Sequence, residues 1–74
     1  MDLRVVLGRN IRARREALGL AQDELAHRAE IHVTYLSGVE NGRRNITVLV
    51  LERVAKALEI HPAVLLGGAR EGCG

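Results

Sequence analysis

The stretch from residue 19 to residue 42 constrains the fold of this chain most, because it contains two short amphipathic helical patterns separated by about three residues. Residues three or four apart share a face of a helix, which turns by about 100° per residue. In the second pattern, one side carries Leu36, Val39 and Glu40 and should pack against a core. The opposite side is polar and low, in the sense that its side chains are short or absent, with Thr34, Ser37, Gly38 and Asn41.

Two interpretations of that polar side are open. Short donors and acceptors beside a glycine suit close approach to the edge of a base pair. The alternative is an ordinary solvated helix face, but such faces usually carry lysine and glutamate, and this one has neither.

The distribution of charge favours the first interpretation. The net charge is only +2, but five arginines lie in the first fifteen residues, where Asp2 is the one acid. Arg43 and Arg44 directly follow the second helical pattern and its Asn41-Gly42 end. Arginine forms rigid forks that suit phosphate and guanine. A basic first helix and a basic loop beside a low polar face therefore predict binding to nucleic acid.

Composition argues against several other functions. The single cysteine, Cys73, allows no intrachain disulfide and fits a reducing compartment, so we expect a cytoplasmic protein. The three histidines show no metal-ligand spacing with it, and we expect no metal, cofactor or small-molecule ligand. No signal peptide or apolar run of about 18 residues stands out, which predicts no membrane partner. No nucleophile–base arrangement or glycine-rich phosphate loop indicates an enzyme.

Helical periodicity along the whole chain predicts an all-α fold, a compact five-helix bundle. Leu3, Leu7, Ile11 and Leu18 form the apolar stripe of the first helix, and Gly19 ends it. Thr47 is the expected N-cap of the fourth helix. We predict one domain over residues 1–68 and a flexible C-terminal tail over 69–74. The expected helices cover about residues 3–17, 22–28, 33–40, 48–58 and 62–66.

Two charged residues lie where apolar residues should be. Arg15 is on the buried stripe of the first helix, and Glu40 is four residues after Leu36 on the buried side of the third. Buried charges are rarely left unpaired, so we predict that Arg15 and Glu40 form an ion pair that joins the two helices. In the alternative, both lie at the edges of their stripes and reach water.

The fourth helix is too apolar to be buried on one side alone. A chain of this size has a small core and often needs further stabilisation, for which dimerisation is the available route. Exposed contiguous apolar surface usually marks an interface, and a two-fold dimer is the commonest result. The alternative is that the fifth helix or the N-terminal residues cover this patch. The predicted dimer interface comprises Ile46, Leu49, Val50, Arg53, Ala57 and Leu65.

From Leu7 to Leu66 the sequence resembles the Cro/C1-type helix-turn-helix regulators, whose fold is lambda-repressor-like. The resemblance rests on a basic first helix ending in ALGL, then on AQDELAHRA, TYLSGVENGRRN and ITVLVLERVAKALEI, followed by HPAVLL. It implies that the helix-turn-helix spans the second and third helices and that Gln22 lies beside the DNA backbone. It also implies the pairing of Arg15 with Glu40.

Within that family, TYLSGVE followed by Arg44-Asn45-Ile46-Thr47 is most similar to the controller proteins of restriction–modification systems. This resemblance implies a homodimer that binds operator DNA and helps RNA polymerase through its sigma subunit at low concentration. At high concentration a second dimer on an adjacent, weaker site represses the same promoter. A protein-interaction module, an antitoxin and a phage-type repressor remain alternatives.

The resemblance also suggests how DNA is contacted, with the third helix in the major groove. Three departures from the family pattern bear on it: Ala21 replaces a polar N-cap, Glu30 replaces a glycine in the turn, and Val33 replaces a long polar residue. With few strong base contacts available, DNA shape should carry part of the specificity. We predict base contacts from Val33, Thr34, Ser37 and Arg44, and backbone contacts from Gln22, Tyr35, Arg43 and Asn45.

Overall fold

A computed structural model describes residues 2–67, so the predicted tail over 69–74 and Cys73 lie outside the described residues. The described part is built from helices and contains no strand, which confirms the all-α prediction. The ends of α2 and α4 each differ by one residue from the expectation. The helices are α1 (Leu3–Ala17), α2 (Gln22–Ala29), α3 (Val33–Glu40), α4 (Val48–Ala57) and α5 (Pro62–Leu66).

One hydrophobic core joins the five helices. Helix α1 packs on α3 and α5, α2 packs on α3 and α4, and α4 packs on α5. Ile11, Leu25, Leu36 and Leu58 are fully buried at its centre. The predicted stripe of α1 is buried only in its middle, since Leu3 and Leu18 are 53% and 37% exposed. At 1.5 Å per residue, the short α3 and α5 cannot cover the full length of a 15-residue helix.

Side chains satisfy the free N–H groups at the start of four helices. Thr47 Oγ1 accepts from the Val50 N–H at 3.1 Å, as the sequence predicted. Asp2 caps α1, and the Nδ1 atoms of His32 and His61 accept from the N–H groups of Thr34 and Ala63. Ala21 makes no such bond, so the first turn of α2 begins without a side-chain cap.

Four helices end in the same backbone arrangement, in which a left-handed residue reverses the chain. The residues are Gly19, Glu30, Gly42 and Glu59, with φ of 72°, 61°, 74° and 58°. After α3, for example, the Gly42 N–H donates to Val39 O and the Arg43 N–H donates to Gly38 O, which is the Schellman motif. Glu30, which replaces the glycine of the family pattern, thus adopts a left-handed conformation, and Glu59 adopts it too.

Gly8 sets how closely α1 crosses the end of α3. A Cβ atom built on Gly8 would lie 2.8 Å from the carbonyl oxygen of Glu40 and closer still to that of Val39. These are backbone atoms at a helix end, so they cannot rotate away as a side chain could. A glycine at position 8 therefore lets the two helix backbones touch, and it brings Arg15, two turns later on α1, within reach of Glu40.

Candidate nucleic-acid interface

The polar outer face of α3 is held in position by a buried network behind it. The Glu40 carboxylate accepts from Arg15 Nε at 2.8 Å and from Arg15 Nη2 at 3.0 Å. Gln22 Nε2 donates to the same carboxylate at 2.9 Å, and Arg15 Nη1 donates to Leu20 O at 2.8 Å. Side-chain exposure is only 11% for Arg15 and 2% for Glu40. The predicted ion pair is therefore present, and it ties α1, α2 and α3 together.

The network also stabilises the charged form of Arg15. Its hydrogen bonds to Glu40 raise the pKa of the guanidinium, although burial acts in the opposite direction. The two hydrogen bonds from Nε and Nη2 are bidentate, which is the geometry in which arginine pairs most strongly with a carboxylate.

In front of this network lies an open cleft of about 450 Å³ between the start of α2 and the outer face of α3. All four residues predicted to contact bases line it, and so do two predicted backbone contacts, Gln22 and Arg43. Asn41 was not among the predicted contacts, although it belongs to the same polar helix face. The lining comprises Gln22, Val33, Thr34, Ser37, Gly38, Asn41, Arg43 and Arg44.

The turn that ends α3 differs from the turns that end α1, α2 and α4 in the residue that follows its left-handed residue. The residue directly after the left-handed residue is Leu20 at the end of α1, Ile31 at the end of α2 and Ile60 at the end of α4. All three of these side chains pack on the core. At this position after α3 the chain has Arg43, which is exposed. Among residues 2–67, neither Arg43 nor Arg44 forms a salt bridge with an acidic side chain. The same turn that ends α3 therefore places two uncompensated positive charges beside the cleft.

Tyr35 and Asn45 lie beside the cleft rather than in its lining. The Tyr35 hydroxyl donates to the backbone oxygen of Asn45 at 2.8 Å, which attaches the loop after α3 to the helix. The guanidinium carbon of Arg44 stands over the Tyr35 ring, 5.8 Å from its centroid. Tyr35 therefore holds the arginine-bearing loop, a role that the sequence pattern did not indicate.

Four of the five arginines at the start of the chain have partners within it. Arg4 pairs with Asp2, Arg12 pairs with Glu16, and Arg15 is buried. Arg14 Nε donates to the carbonyl oxygen of Leu58 at the end of α4, at 3.1 Å. Arg14 therefore bonds a neutral oxygen and keeps its charge, and the exposed Arg9 forms no salt bridge among residues 2–67, so α1 keeps free positive charge in addition to that of the loop after α3.

The apolar face predicted on α4 is present, with one correction. Leu49 is 60% exposed, while Ile46, Val50 and Ala57 are half-buried beside it. Arg53 belongs to this face, but its Nε donates to Ala29 O at 3.1 Å, which caps the end of α2. The assignment of Leu65 to an interface is wrong because Leu65 is only 1% exposed and belongs to the core.

Additional apolar side chains surround this face. The most exposed of them is Val48, at 83%, which is not among the predicted interface residues. Val48 lines a shallow groove of about 370 Å³ with Leu3, Ile46 and Leu66. In the short helix α5, Val64 and Leu66 point outward because Leu65 takes the core position.

Neither a membrane-spanning helix nor a metal centre occurs in residues 2–67. No described helix has the length and apolar character needed to cross a bilayer. No three of the described histidine, cysteine, aspartate and glutamate side chains come together in a group that could hold a metal ion.

Comparisons with known proteins agree with this geometry. Residues 11–65 match the family model described as helix-turn-helix. The chain is similar to the control protein C.SmaI of Serratia marcescens, with 38% identity over 66 residues that cover 89% of this chain and 79% of that protein. It is 33% identical to the control protein C.BamHI of Bacillus amyloliquefaciens, with 88% and 82% coverage. Its fold matches the restriction-modification controller protein C.AhdI from Aeromonas hydrophila with a TM-score of 0.82 and 37% identity, over 84% of this chain and 94% of that one.

Proposed function

The chain belongs to the helix-turn-helix family of DNA-binding transcriptional regulators, and on that basis we propose that it is a homodimeric controller of a restriction–modification system. The observation that carries this proposal is the cleft on α3. One surface combines the low polar face of α3 with two uncompensated arginines beside it, and the buried network supports that face from behind. That combination fits a duplex with base edges flanked by phosphates.

In this proposal α3 enters the major groove. The hydroxyls of Thr34 and Ser37 contact base edges, and the exposed Val33 packs on a thymine methyl group. Arg44 contacts a base, while Arg43 and the free N–H of the Gln22 amide contact phosphates. Because one α3 offers few strong base contacts, sequence-dependent DNA shape supplies part of the specificity.

The apolar face of α4 is the surface by which two copies associate. A two-fold dimer needs a self-complementary patch, and Leu49 and Val50 with their neighbours offer one that this chain leaves uncovered. A dimer presents two α3 helices to the same side of the DNA. The two half-sites then lie about one helical turn apart, roughly 34–36 Å.

The similarity to named control proteins supports the regulatory circuit that the resemblance of the sequence implies. One dimer on operator DNA activates transcription through the sigma subunit of RNA polymerase. A second dimer on an adjacent, weaker site represses it when the protein has accumulated. Under this circuit the same protein changes the sign of regulation with its own concentration.

Footprinting of the DNA upstream of the gene, at two protein concentrations, tests the proposal. We expect one protected operator at low concentration and an adjoining second one at high concentration, with transcription in vitro rising and then falling. A single site that only represses indicates a phage-type repressor. The absence of any protected site, together with a monomeric mass in solution, would contradict the proposal and favour a protein-interaction module or an antitoxin.

A further inference from the structure

We propose that Gly38 is a positioning residue for Arg44, because the missing side chain of Gly38 leaves a seat on α3 that the stem of Arg44 occupies. The inference deepens the proposed function, since it concerns how Arg44 is prepared to contact DNA. Gly38, which has no side chain, thereby contributes to the specificity of DNA binding.

The seat follows from the distances around Gly38. An ideal Cβ atom on this residue would lie 2.6 Å from Arg44 Cγ and 3.6 Å from both Cδ and Nε. Two carbon atoms in contact are separated by about 3.5–4.0 Å, so Cγ already occupies the place of a methyl group. Any residue other than glycine at position 38 therefore moves the stem of Arg44.

The backbone offers no other reason for a glycine at this position. Gly38 lies inside α3 with ordinary helical dihedral angles, unlike Gly19 and Gly42, whose φ is positive. A glycine within a helix is unfavourable compared with alanine. The benefit that offsets this cost must lie in the space that glycine leaves, and Arg44 fills that space.

Tyr35 completes the seat at the other end of the arginine. The stem of Arg44 lies across Gly38, and the guanidinium stands over the Tyr35 ring. Gly38 and Arg44 both line the cleft, so the arginine is held at the surface that faces DNA. An arginine has many rotamers, and holding it in one conformation before binding lowers the entropic cost of the contact. The expected gain in operator affinity is about three- to ten-fold.

A double-mutant cycle between Gly38→Ala and Arg44→Ala tests the proposal, with the footprinted upstream fragment as the probe. Gly38→Ala alone should raise the operator Kd about three- to ten-fold, with a smaller change on unrelated DNA of equal length. In the Arg44→Ala background, Gly38→Ala should cause no further loss, since no stem remains to be displaced. Equal losses in both backgrounds would mean that the methyl group meets DNA directly, which overturns the proposal.

A measurement on the free protein separates this inference from the proposed function. In the NMR spectrum, the side-chain protons of Arg44 should show ring-current shifts from Tyr35, and Gly38→Ala should bring them towards random-coil values. Wild-type shifts retained in Gly38→Ala would contradict the seat. The free energy of unfolding should not fall in Gly38→Ala, because alanine favours the helix. These results need no DNA, whereas wild-type protein that fails to bind the fragment contradicts the proposed function alone.

Discussion

The Arg15 guanidinium holds the Glu40 carboxylate through two hydrogen bonds of 2.8 and 3.0 Å, so that one buried pair joins the first helix to the end of the third. Glu40 is the last residue of α3, and Asn41 and Gly42 follow it into the loop that carries Arg43 and Arg44. The pair therefore supports the proposed DNA-binding surface from behind, and Glu40 also accepts from Gln22, which lines that surface. Its role is to hold the angle between α1 and α3.

Glu40→Ala should lower the free energy of unfolding by about 3–5 kcal/mol, because it leaves the buried guanidinium of Arg15 without a charge partner. Chemical denaturation measures this loss. Glu16→Ala is the matched control, since the Arg12–Glu16 pair has the same chemistry but is more than half exposed. That control should cost less than about 1 kcal/mol. Similar small losses in both variants would show that the buried pair is not a structural support.

Gly8→Ala should destabilise the protein by about 3 kcal/mol, near the upper end of overpacking effects, because its methyl group meets the carbonyl oxygens at the end of α3. Thermal and chemical unfolding report the change. Gly38→Ala is the comparison, since there the added methyl meets only a side chain that can move. If Gly8→Ala kept wild-type stability, α1 and α3 would not cross as closely as described.

Glu30→Gly and Glu59→Gly should each raise the free energy of unfolding by roughly 0.5–1 kcal/mol. A left-handed conformation costs about 1–2 kcal/mol in residues with a Cβ atom, and glycine avoids most of that cost despite its larger unfolded-state entropy. Both glutamates have this conformation, with φ near 60°. Glu30→Ala, which removes the carboxylate and keeps the Cβ atom, should bring no such gain; an equal gain there would point to charge instead of strain.

Thr34→Ala combined with Ser37→Ala should reduce the preference for operator over non-specific DNA, because both hydroxyls line the cleft where base edges would lie. Arg43→Ala should instead weaken binding to both DNAs alike and reduce the slope of log K against log salt by about one. Titrations at several salt concentrations separate the two effects. Equal losses of preference in both variants would remove the assignment of base contacts to α3.

Leu49→Lys should convert a dimer into a folded monomer. Leu49 is 60% exposed in the single chain, so a lysine there leaves the core intact but places a charge in the proposed two-fold interface. Sedimentation equilibrium gives the mass, and the far-ultraviolet circular dichroism spectrum reports the fold. Ala17→Lys adds the same charge at an exposed site in the last turn of α1 and should remain dimeric. A Leu49→Lys variant with the wild-type mass would place the interface elsewhere.

Much of this architecture was predictable because it depends on local sequence. The helical period placed five helices within one residue of their observed ends, and Thr47 and Gly19 marked a start and a stop through local hydrogen bonding and backbone conformation. The Arg15–Glu40 pair was predictable for a different reason. Each residue interrupts an apolar stripe, and a buried charge has to find its opposite.

Other features depend on which elements meet in space. The interface role assigned to Leu65 was wrong because α5 is so short that only packing decides which of three adjacent apolar residues turns inward. The sequence could not show which arginines of α1 have hydrogen-bond partners within the chain. Arg14, for example, donates to the carbonyl oxygen of Leu58, which is distant in the chain. The contact of Gly8 with the end of α3 also joins residues that are distant in the chain, so helical periodicity did not indicate it.

The sequence by itself determined the helices, their order, the buried ion pair and the low polar face of α3, because each depends on residue spacing and on the cost of burying charge. Only the tertiary structure decided which arginines remain available, that Tyr35 holds the loop after α3, and that Gly38 seats the stem of Arg44. These depend on distances between atoms that the chain brings together by packing. Residue spacing carries no information about them.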